Sequence, residues 1–184
     1  MIRRAVVLVT LMVGAGALAQ ATRPGNLLRD GNFEAAPGPG EVAGGWSEVR
    51  EGGAAGTVAL DASRPLNDKS PHALKLSVAK VGDRMGAATG GLDVAGDQWY
   101  EVTLSARTDN NFHVGLVFSL ESADGKTVAA RVTLPEIGGA WKGYGVALHA
   151  ESPLRNGRLV VSPIEPGTIW IDELSLAPRE ASHG

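Results

Sequence analysis

Three arginines and one histidine fall at outward positions of segments in which apolar and polar residues alternate: Arg84, Arg107, His113 and Arg131. Alternation places every second side chain on the same face of a strand. If the four segments are neighbouring strands, their side chains line one concave face and could hold sugar hydroxyls, uronates or other carboxylates. The plainer interpretation, which we favour, is a solvated strand face whose charges are balanced by Glu101, Asp109 and Glu121.

Aromatic residues are the second requirement of such a site, because the apolar face of a sugar ring stacks on a flat aromatic ring. The chain has nine aromatic residues, namely four Trp, two Tyr and three Phe. Most fall at inward positions of alternating segments or anchor a loop. The candidates left as ligand platforms are Trp99 and Phe112, with Trp170 as a third.

Composition excludes several other chemistries. The 184 residues include no Cys, which rules out a disulfide framework, a Cys-ligated metal site and a thiol nucleophile. The formal net charge of −3 leaves no basic surface for nucleic acid. The four His residues lack metal-ligand spacing, and no Ser lies in a nucleophile elbow. Asp172 and Glu173 are adjacent on a predicted strand and should face opposite sides, so we predict no catalysis.

The N-terminal residues have the three parts of a secretory signal. Arg3 and Arg4 precede an apolar run over residues 5–18, and two small-x-small cleavage sites end at Ala19 and Ala21. An N-terminal membrane anchor is the alternative, but about 14 apolar residues are fewer than the roughly 20 that span a bilayer. We therefore predict a signal peptide over residues 1–21, a secreted protein in the periplasm or outside the cell, and no membrane insertion after cleavage.

Short alternating segments follow along the rest of the chain, and none has the period of a helix. They cover residues 73–78, 99–107, 113–121, 127–134, 141–150, 159–162 and 168–176, with weaker segments at 56–60 and 84–88. Asp124-Gly125 predicts a hairpin turn, residues 155–157 a further turn, and residues 35–56 a long loop. We predict an all-β, antiparallel jelly-roll β-sandwich of about 8–10 strands over residues 22–178, then a flexible tail over residues 179–184.

Several motifs occur in the order found in CenC-type carbohydrate-binding modules. They are the opening residues 26–34 (NLLRDGNFE), Gly45-Trp46, residues 72–76 (HALKL), residues 99–107 (WYEVTLSAR), residues 139–144 (GAWKGY) and the closing residues 168–176 (TIWIDELSL). The chain resembles this group, and residues 82–176 most resemble the module appended to bacterial family fifty-one α-L-arabinofuranosidases. The resemblance implies a galactose-binding-like jelly roll that serves as a sugar-binding appendage.

The same resemblance implies one structural calcium ion, for which Glu34 and Asp172 are the residues carried over. The termini of a jelly roll lie close together, so two carboxylates could join backbone carbonyls around a hard cation. Such an ion would also cross-link a secreted chain that has no disulfide. Asp61 and Asp68 are weaker candidates. The alternative is that Glu34 and Asp172 are solvated edge acids.

Two functions from different classes remain open on the sequence. The first is a secreted, non-catalytic carbohydrate-binding module for a plant-type or envelope polysaccharide or oligosaccharide. The second is a structural or interaction domain of the cell envelope, with envelope proteins as partners and no sugar affinity. The second is favoured by a departure from the family, since Ala106 follows Ser105 and no aromatic residue lies near Gly90-Gly91, where the family often has one.

Overall fold

The computed structural model describes residues 25–109 and 113–179. The predicted signal peptide, Phe112 and the tail beyond Arg179 lie outside the described residues. Within the described ranges the chain is all-β and forms no helix. No helix in that part of the chain therefore has the length and apolarity needed to cross a membrane.

Ten strands form the two layers of the fold. They are β1 (Trp46–Glu51), β2 (Ala55–Asp61), β3 (Ala73–Lys80), β4 (Arg84–Val94), β5 (Gln98–Thr108), β6 (Val114–Glu121), β7 (Val128–Ile137), β8 (Lys142–Ala150), β9 (Leu154–Pro163) and β10 (Gly167–Pro178). Sheet A has the order β1-β4-β9-β6-β7, and sheet B has the order β2-β3-β10-β5-β8. Every pairing between these strands is antiparallel. The predicted antiparallel sandwich is confirmed.

The core lies between the two sheets and is made of the inward residues of both. On β5 these are Tyr100, Val102, Leu104 and Ala106, and each is buried as the alternation predicts. Val128 is an exception to the pattern. The alternation of residues 127–134 predicts an inward side chain at this position, but 51% of its surface is exposed at the start of the edge strand β7. A register irregularity between Leu120 and Glu121 precedes it in the β6–β7 pairing, so the simple alternation does not extend to this end.

The predicted loop over residues 35–56 contains two elements that the sequence did not indicate, β1 and the start of β2. The segment of β1 has three charged residues in six, so its alternation is weak. It forms because it pairs with β4 along its whole length, from Trp46 opposite Thr89 to Glu51 opposite Arg84. Burial of the Trp46 ring against Phe33 secures this edge. Tertiary pairing, rather than local pattern, determines this strand.

The N-terminal segment with the opening motif, residues 26–34, forms no strand at Phe33. Phe33 has φ of 54°, outside the extended region that a strand requires. Two backbone hydrogen bonds nevertheless join this segment to β10, from Leu27 N to Leu176 O and from Leu174 N to Gly31 O. The start and the end of the described chain therefore lie side by side. The turn predicted at residues 155–157 is instead part of β9, in which Asn156 has φ of 50°.

Candidate functional site

The outer face of sheet A, which points away from the core, contains a network of four charged side chains. Glu121 lies at its centre and is almost fully buried. Its Oε2 accepts hydrogen bonds from Arg158 Nη2 at 3.0 Å and Nε at 3.3 Å, and its Oε1 accepts one from Arg84 Nη1. Arg84 also donates from Nη2 and Nε to Glu51, at 2.8 and 3.2 Å. We call these four residues the Glu121 network; its formal charges sum to zero.

The residues of the Glu121 network are spread along the strand direction of sheet A and do not all lie side by side across neighbouring strands. Strands β4 and β6 run in the same direction, because each is antiparallel to β9 between them. Arg84 is the first residue of β4 and Glu121 the last of β6, so the two start from opposite ends and must reach toward each other. The outward residues between them are small: Gly86, Ala88, Ser119 and Val160. Val160 points away from the core and is still only 1% exposed, which indicates that the network covers it.

The hairpin between β6 and β7 closes one side of this network. Gly125 has φ of 73° in the predicted Asp124-Gly125 turn, which the structure confirms. The guanidinium of Arg158 occupies the place where a Cβ at position 125 would lie. At the opposite end, the side-chain hydrogen bond from Arg84 lowers the pKa of Glu51. Each buried charge is paired with an opposite charge inside the network, which is typical of a network that stabilises a fold.

The outer face of sheet B has a different character, beginning with an exposed aromatic ring. Trp99 of β5 is paired in register with His149 of β8, and their ring centroids are 5.1 Å apart. The Trp99 side chain leaves 43% of its surface exposed. His149 Nε2 lies 3.1 Å from Asp97 Oδ1, which steadies the second ring. This end of the face therefore presents a flat apolar surface, held from one side by an imidazole.

The middle of the same face is lined by hydroxyl and carboxylate groups. Thr103 and Ser175 are register partners whose hydroxyl oxygens lie 2.6 Å apart, and Ser105 Oγ donates to Glu173 at 3.2 Å. On the neighbouring strand β8, Gly143 and Gly145 stand opposite Ser105 and Thr103. A Cβ at Gly143 would meet nothing within 4 Å, so the face is open above this strand. Such a surface offers both donors and acceptors to sugar hydroxyls.

A β-bulge in β10 changes which acids face outward. The pairing of β10 with β5 shifts between Asp172 and Ser175, and Glu173 has φ of 49°. Asp172 pairs with the outward residue Ser105, and the Glu173 carboxylate also reaches Ser105. The expectation that Asp172 and Glu173 face opposite sides is therefore wrong, because the bulge interrupts the alternation.

The far end of the outer face of sheet B is built around Trp170. This ring is nearly buried, and three cations lie over it: Lys75 Nζ at 5.2 Å, Arg64 Cζ at 5.8 Å and Arg107 Cζ at 5.9 Å from its centroid. Trp170 Nε1 donates to Asp61 Oδ2 at 2.8 Å, and Lys75 lies 3.8 Å from the other Asp61 oxygen. We call Arg64, Lys75, Arg107 and Trp170 the Trp170 cluster. Asp61 is thereby engaged away from any shared site with Asp172.

An acidic pocket lies where the N-terminal segment meets β10. It contains Glu34 and Asp172, and Ser70 hydrogen-bonds to both, while Asp30 lies near Glu34. Glu34 also accepts from His72, at 2.9 Å from its backbone N and 2.7 Å from its ring Nδ1. Asp30 Oδ2 and Asp172 Oδ2 are buried, and no described residue hydrogen-bonds to either atom. Burial raises the pKa of Asp172 to about 7, and burial likewise raises that of Asp30.

The pocket fits a hard cation in its chemistry. Its donors are the carboxylate oxygens of Glu34 and Asp172. Asp172 Oδ2 has no hydrogen-bond partner among the described residues, and a positive charge would offset the repulsion between the two acids. The described residues contain no group of three or more His, Asp or Glu side chains arranged to hold a metal. An ion here would therefore depend on backbone carbonyls or water for the rest of its six to eight ligands.

The predicted cationic row does not form one face. Arg84 and Arg131 belong to sheet A, whereas Arg107 belongs to sheet B, so the hypothesis of a single concave surface is wrong. Arg131 stands exposed on the edge strand β7, opposite Ser119. His113 is exposed and pairs with Glu136 at 2.5 Å. Of the aromatic candidates, Trp99 is exposed and Trp170 is covered, and Phe112 lies outside the described residues.

Sequence reasoning missed Arg158, Arg64 and Lys75. Arg158 could have been found from its place one residue before an alternating segment, beside the turn predicted at residues 155–157. Lys75 is the outward residue of a predicted strand, but nothing in the sequence brings it to Trp170, 95 positions away. Arg64 lies in a loop without a pattern. Glu121 was expected to balance the arginines, and it does so for Arg84 and Arg158.

Comparison with known proteins identifies the architecture. No protein-family model matches the chain, and no curated protein is significantly similar to it in sequence. Among solved structures, the CBM22-1 xylan-binding domain of Paenibacillus barcinonensis Xyn10C has a TM-score of 0.57 at 15% identity, covering 85% of this chain and 96% of that one. The chain has the jelly-roll fold of carbohydrate-binding modules.

Two further structures share this jelly roll. The family 11 carbohydrate-binding module of Clostridium thermocellum, in complex with a β-1,3-1,4-mixed-linked tetrasaccharide, has a TM-score of 0.57 at 11% identity, covering 83% of this chain and 95% of that one. An arabinose-bound GH51 α-L-arabinofuranosidase, MgGH51, has a TM-score of 0.67 at 22% identity over 84% of this chain. This chain spans about a quarter of that enzyme, 26% of its length, and so corresponds to one part of it.

Proposed function

We propose that the protein is a secreted, non-catalytic carbohydrate-binding module that binds polysaccharide on the outer face of sheet B. The observation that carries the proposal is the exposed Trp99 ring, supported by His149 and continuous with a row of hydroxyl and carboxylate groups. The jelly-roll fold shared with a xylan-binding domain and with a module in complex with a β-1,3-1,4-mixed-linked tetrasaccharide supports it. The leader-like residues 1–21 support delivery to the periplasm or the exterior.

Truncation of the exposed ring tests this function. We expect Trp99→Ala to weaken binding of xylan, arabinoxylan or galactan oligosaccharides at least tenfold, measured by isothermal titration calorimetry, because the ring supplies the stacking surface. Val128→Ala is the matched control, since it truncates another exposed apolar side chain, on the edge of sheet A. Its affinity should equal that of the wild type.

The alternative is an interaction domain of the cell envelope that has the sandwich and no sugar affinity. It is favoured by the outer face of sheet A, where the described outward residues beside the Glu121 network, among them Gly86, Ala88, Ser119 and Arg131, offer no aromatic ring. A folded wild-type protein that binds none of the oligosaccharides would contradict the sugar proposal and support this one.

We also propose that the acidic pocket holds a structural calcium ion, with Glu34 and Asp172 as its side-chain ligands. Bound calcium would supply a cross-link between the N-terminal segment and β10, and would offset the buried charge of Asp172. Calcium should raise the melting temperature of the wild type above its value in EDTA, and Asp172→Asn should abolish that difference. Asp124→Asn, which changes an exposed acid in the β6–β7 turn, should retain it. An identical melt of the wild type in calcium and in EDTA would contradict the proposal.

A further inference from the structure

The turn between β4 and β5 contains a residue in an unfavourable backbone conformation. Asp97 has φ of 53°, in the left-handed region that favours glycine. A glycine would avoid the crowding of Cβ at this position, so the presence of an aspartate is best explained by what its side chain contacts. Among the described residues, the carboxylate makes one polar contact, from Oδ1 to His149 Nε2 at 3.1 Å. The strained backbone therefore brings Asp97 to the imidazole that lies against Trp99.

Two contacts fix the turn that contains Asp97. Ala95 N donates to the hydroxyl oxygen of the buried Tyr100 at 2.8 Å. Gly96 packs so closely on the connection between β8 and β9 that a Cβ at this position would lie 2.7 Å from Pro153 Cδ. Because the two residues before Asp97 are held in this way, its left-handed backbone is held too, and the direction of its carboxylate is set before any ligand binds.

The backbone of Trp99 is likewise fixed, whereas its ring is not enclosed by the core. Trp99 pairs in register with His149 of β8 on one side, and on the other side Arg179 N donates to Trp99 O at 2.9 Å. The Trp99 side chain is 43% exposed, so core packing does not select its rotamer. The aromatic ring in contact with it is the imidazole of His149, whose centroid lies 5.1 Å away. The direction of the indole therefore depends on where the imidazole is held.

We propose that Asp97 is a positioning residue for sugar binding: its carboxylate holds the His149 imidazole against one side of the Trp99 ring, and this keeps the ring ready to stack on the apolar face of a sugar. The inference rests on the proposed sugar-binding function and adds a residue that does not itself contact the ligand. A ring that is ordered before binding loses less conformational freedom when the sugar stacks on it, so the sugar binds more tightly.

Two substitutions at position 97 separate the role of the side chain from that of the backbone. Asp97→Gly suits the left-handed backbone and removes the carboxylate, whereas Asp97→Asn keeps an acceptor oxygen in a residue type that also adopts this conformation. Isothermal titration calorimetry uses the xylan, arabinoxylan or galactan oligosaccharide that the wild type binds most tightly. We expect Asp97→Gly to weaken affinity about fivefold, and Asp97→Asn to remain within about twofold of the wild type.

Asn156→Gly is the matched control. Asn156 also has a left-handed backbone, with φ of 50°, and it is an exposed residue of β9 in sheet A. The substitution makes the same change of backbone freedom away from the Trp99 ring, so its affinity should equal that of the wild type. A loss in Asn156→Gly as large as that in Asp97→Gly would attribute the effect to backbone freedom and overturn the proposal.

A double-mutant cycle tests whether Asp97 acts through His149. His149→Ala removes the imidazole, and adding Asp97→Gly to it should then weaken affinity no further. Near-ultraviolet circular dichroism gives a readout without ligand, because ordered aromatic rings produce this signal. The part of the signal that disappears in Trp99→Ala should be reduced in Asp97→Gly and retained in Asp97→Asn. The melting temperature of Asp97→Gly should stay close to that of the wild type, since glycine fits the turn.

Three further results would overturn the inference. Unchanged affinity in Asp97→Gly, beside a wild type that binds, would remove the role of Asp97 and leave the sugar-binding function intact. A loss that persists in full in the His149→Ala background would show that Asp97 contacts the ligand directly instead of acting through the imidazole. Failure of the wild type to bind any of the oligosaccharides would remove the proposed function itself, and the inference with it.

Discussion

On the outer face of sheet A, Glu121 is buried between Arg84 and Arg158, whereas on the outer face of sheet B the Trp99 ring is exposed and a Cβ at Gly143 would meet no atom of the described residues within 4 Å. Both faces are built from five antiparallel strands of the same sandwich. They differ in side-chain size and in charge pairing. Small outward residues on sheet A let long charged side chains lie flat and pair, while sheet B keeps the Trp99 ring exposed beside a row of hydroxyl groups. The first arrangement favours stability, and the second is the one on which we base the proposed recognition of a sugar.

The largest effect that separates the two faces is expected at Glu121. Glu121→Gln should lower the free energy of unfolding by about 3 kcal/mol, because it leaves the half-buried Arg158 guanidinium without a compensating charge and leaves Arg84 with Glu51 alone. Urea denaturation measures the loss. Oligosaccharide affinity should be unchanged, since the proposed ligand-binding face is on the other sheet. A stable variant with weakened sugar binding would reverse the roles assigned to the two faces.

A matched pair of enlarged side chains compares the faces directly. Ala88→Leu on sheet A should cost about 2 kcal/mol in the free energy of unfolding, because Ala88 is buried beneath the Glu121 network beside Val49 and Val160. Ala147→Leu is the corresponding change on sheet B, opposite Glu101, and should cost less than about 0.5 kcal/mol. Similar urea midpoints for the two variants would contradict the difference in packing.

Asp61 provides a smaller effect that depends on pH. Burial acts to raise the pKa of the Asp61 carboxyl. Hydrogen bonds from Ser63 and Trp170 outweigh this effect and hold the pKa below its ordinary value of 3.8. The stabilisation that follows is therefore present above pH 3.8 and lost as the pH falls through the lower folded value. Asp61→Asn should be less stable than the wild type by about 1 kcal/mol at pH 6, and this difference should vanish in strong acid.

Thermal unfolding of the two proteins between pH 6 and pH 3 measures this difference. Asp68→Asn is the control, because Asp68 is an exposed acid in the same loop, and its difference from the wild type should not change with pH. A gap between wild type and Asp61→Asn that widens toward acid would contradict the assigned sign.

The smallest effect is expected at the exposed pair of Arg50 and Glu48 on β1, whose side chains lie 2.8 Å apart. Arg50→Gln should change the free energy of unfolding by less than about 0.5 kcal/mol, because solvent screens the pair. Urea denaturation of Arg50→Gln and of Glu121→Gln compares the loss of an exposed ion pair with the loss of a buried one on the same sheet. A loss as large as that of Glu121→Gln would show that burial is not what distinguishes them.

Much of the fold could be predicted from alternation alone, because a strand with one buried face must repeat its apolar residues with period two. This rule found β5 and β6 with their inward residues correctly assigned. It failed for β1, where charged residues weaken the pattern and pairing with β4 compensates. The alternation rule also failed at Glu173. A bulge depends on the backbone conformation, which the residue types of β10 do not predict.

Single residues of the candidate site could be predicted from the sequence, but the way they group together could not. Trp99 could be selected because it begins an alternating strand at an outward position, and it is exposed. The grouping of Arg84, Arg107 and Arg131 could not be judged, because strand order is set by long-range pairing that spacing does not reveal. For the same reason Arg158 and Lys75 were overlooked, although each completes a cluster.

The sequence by itself determined that the chain is an all-β sandwich, that it lacks cysteine chemistry, and which side of each regular strand faces the core, because these properties depend on composition and local period. Only the tertiary structure decided which charges meet. Arg84 is neutralised by Glu121, 37 positions later, whereas Arg107 joins Lys75 and Arg64 over Trp170. Charges act over a few ångströms, and the order of strands in a sheet, not their order in the chain, sets those distances.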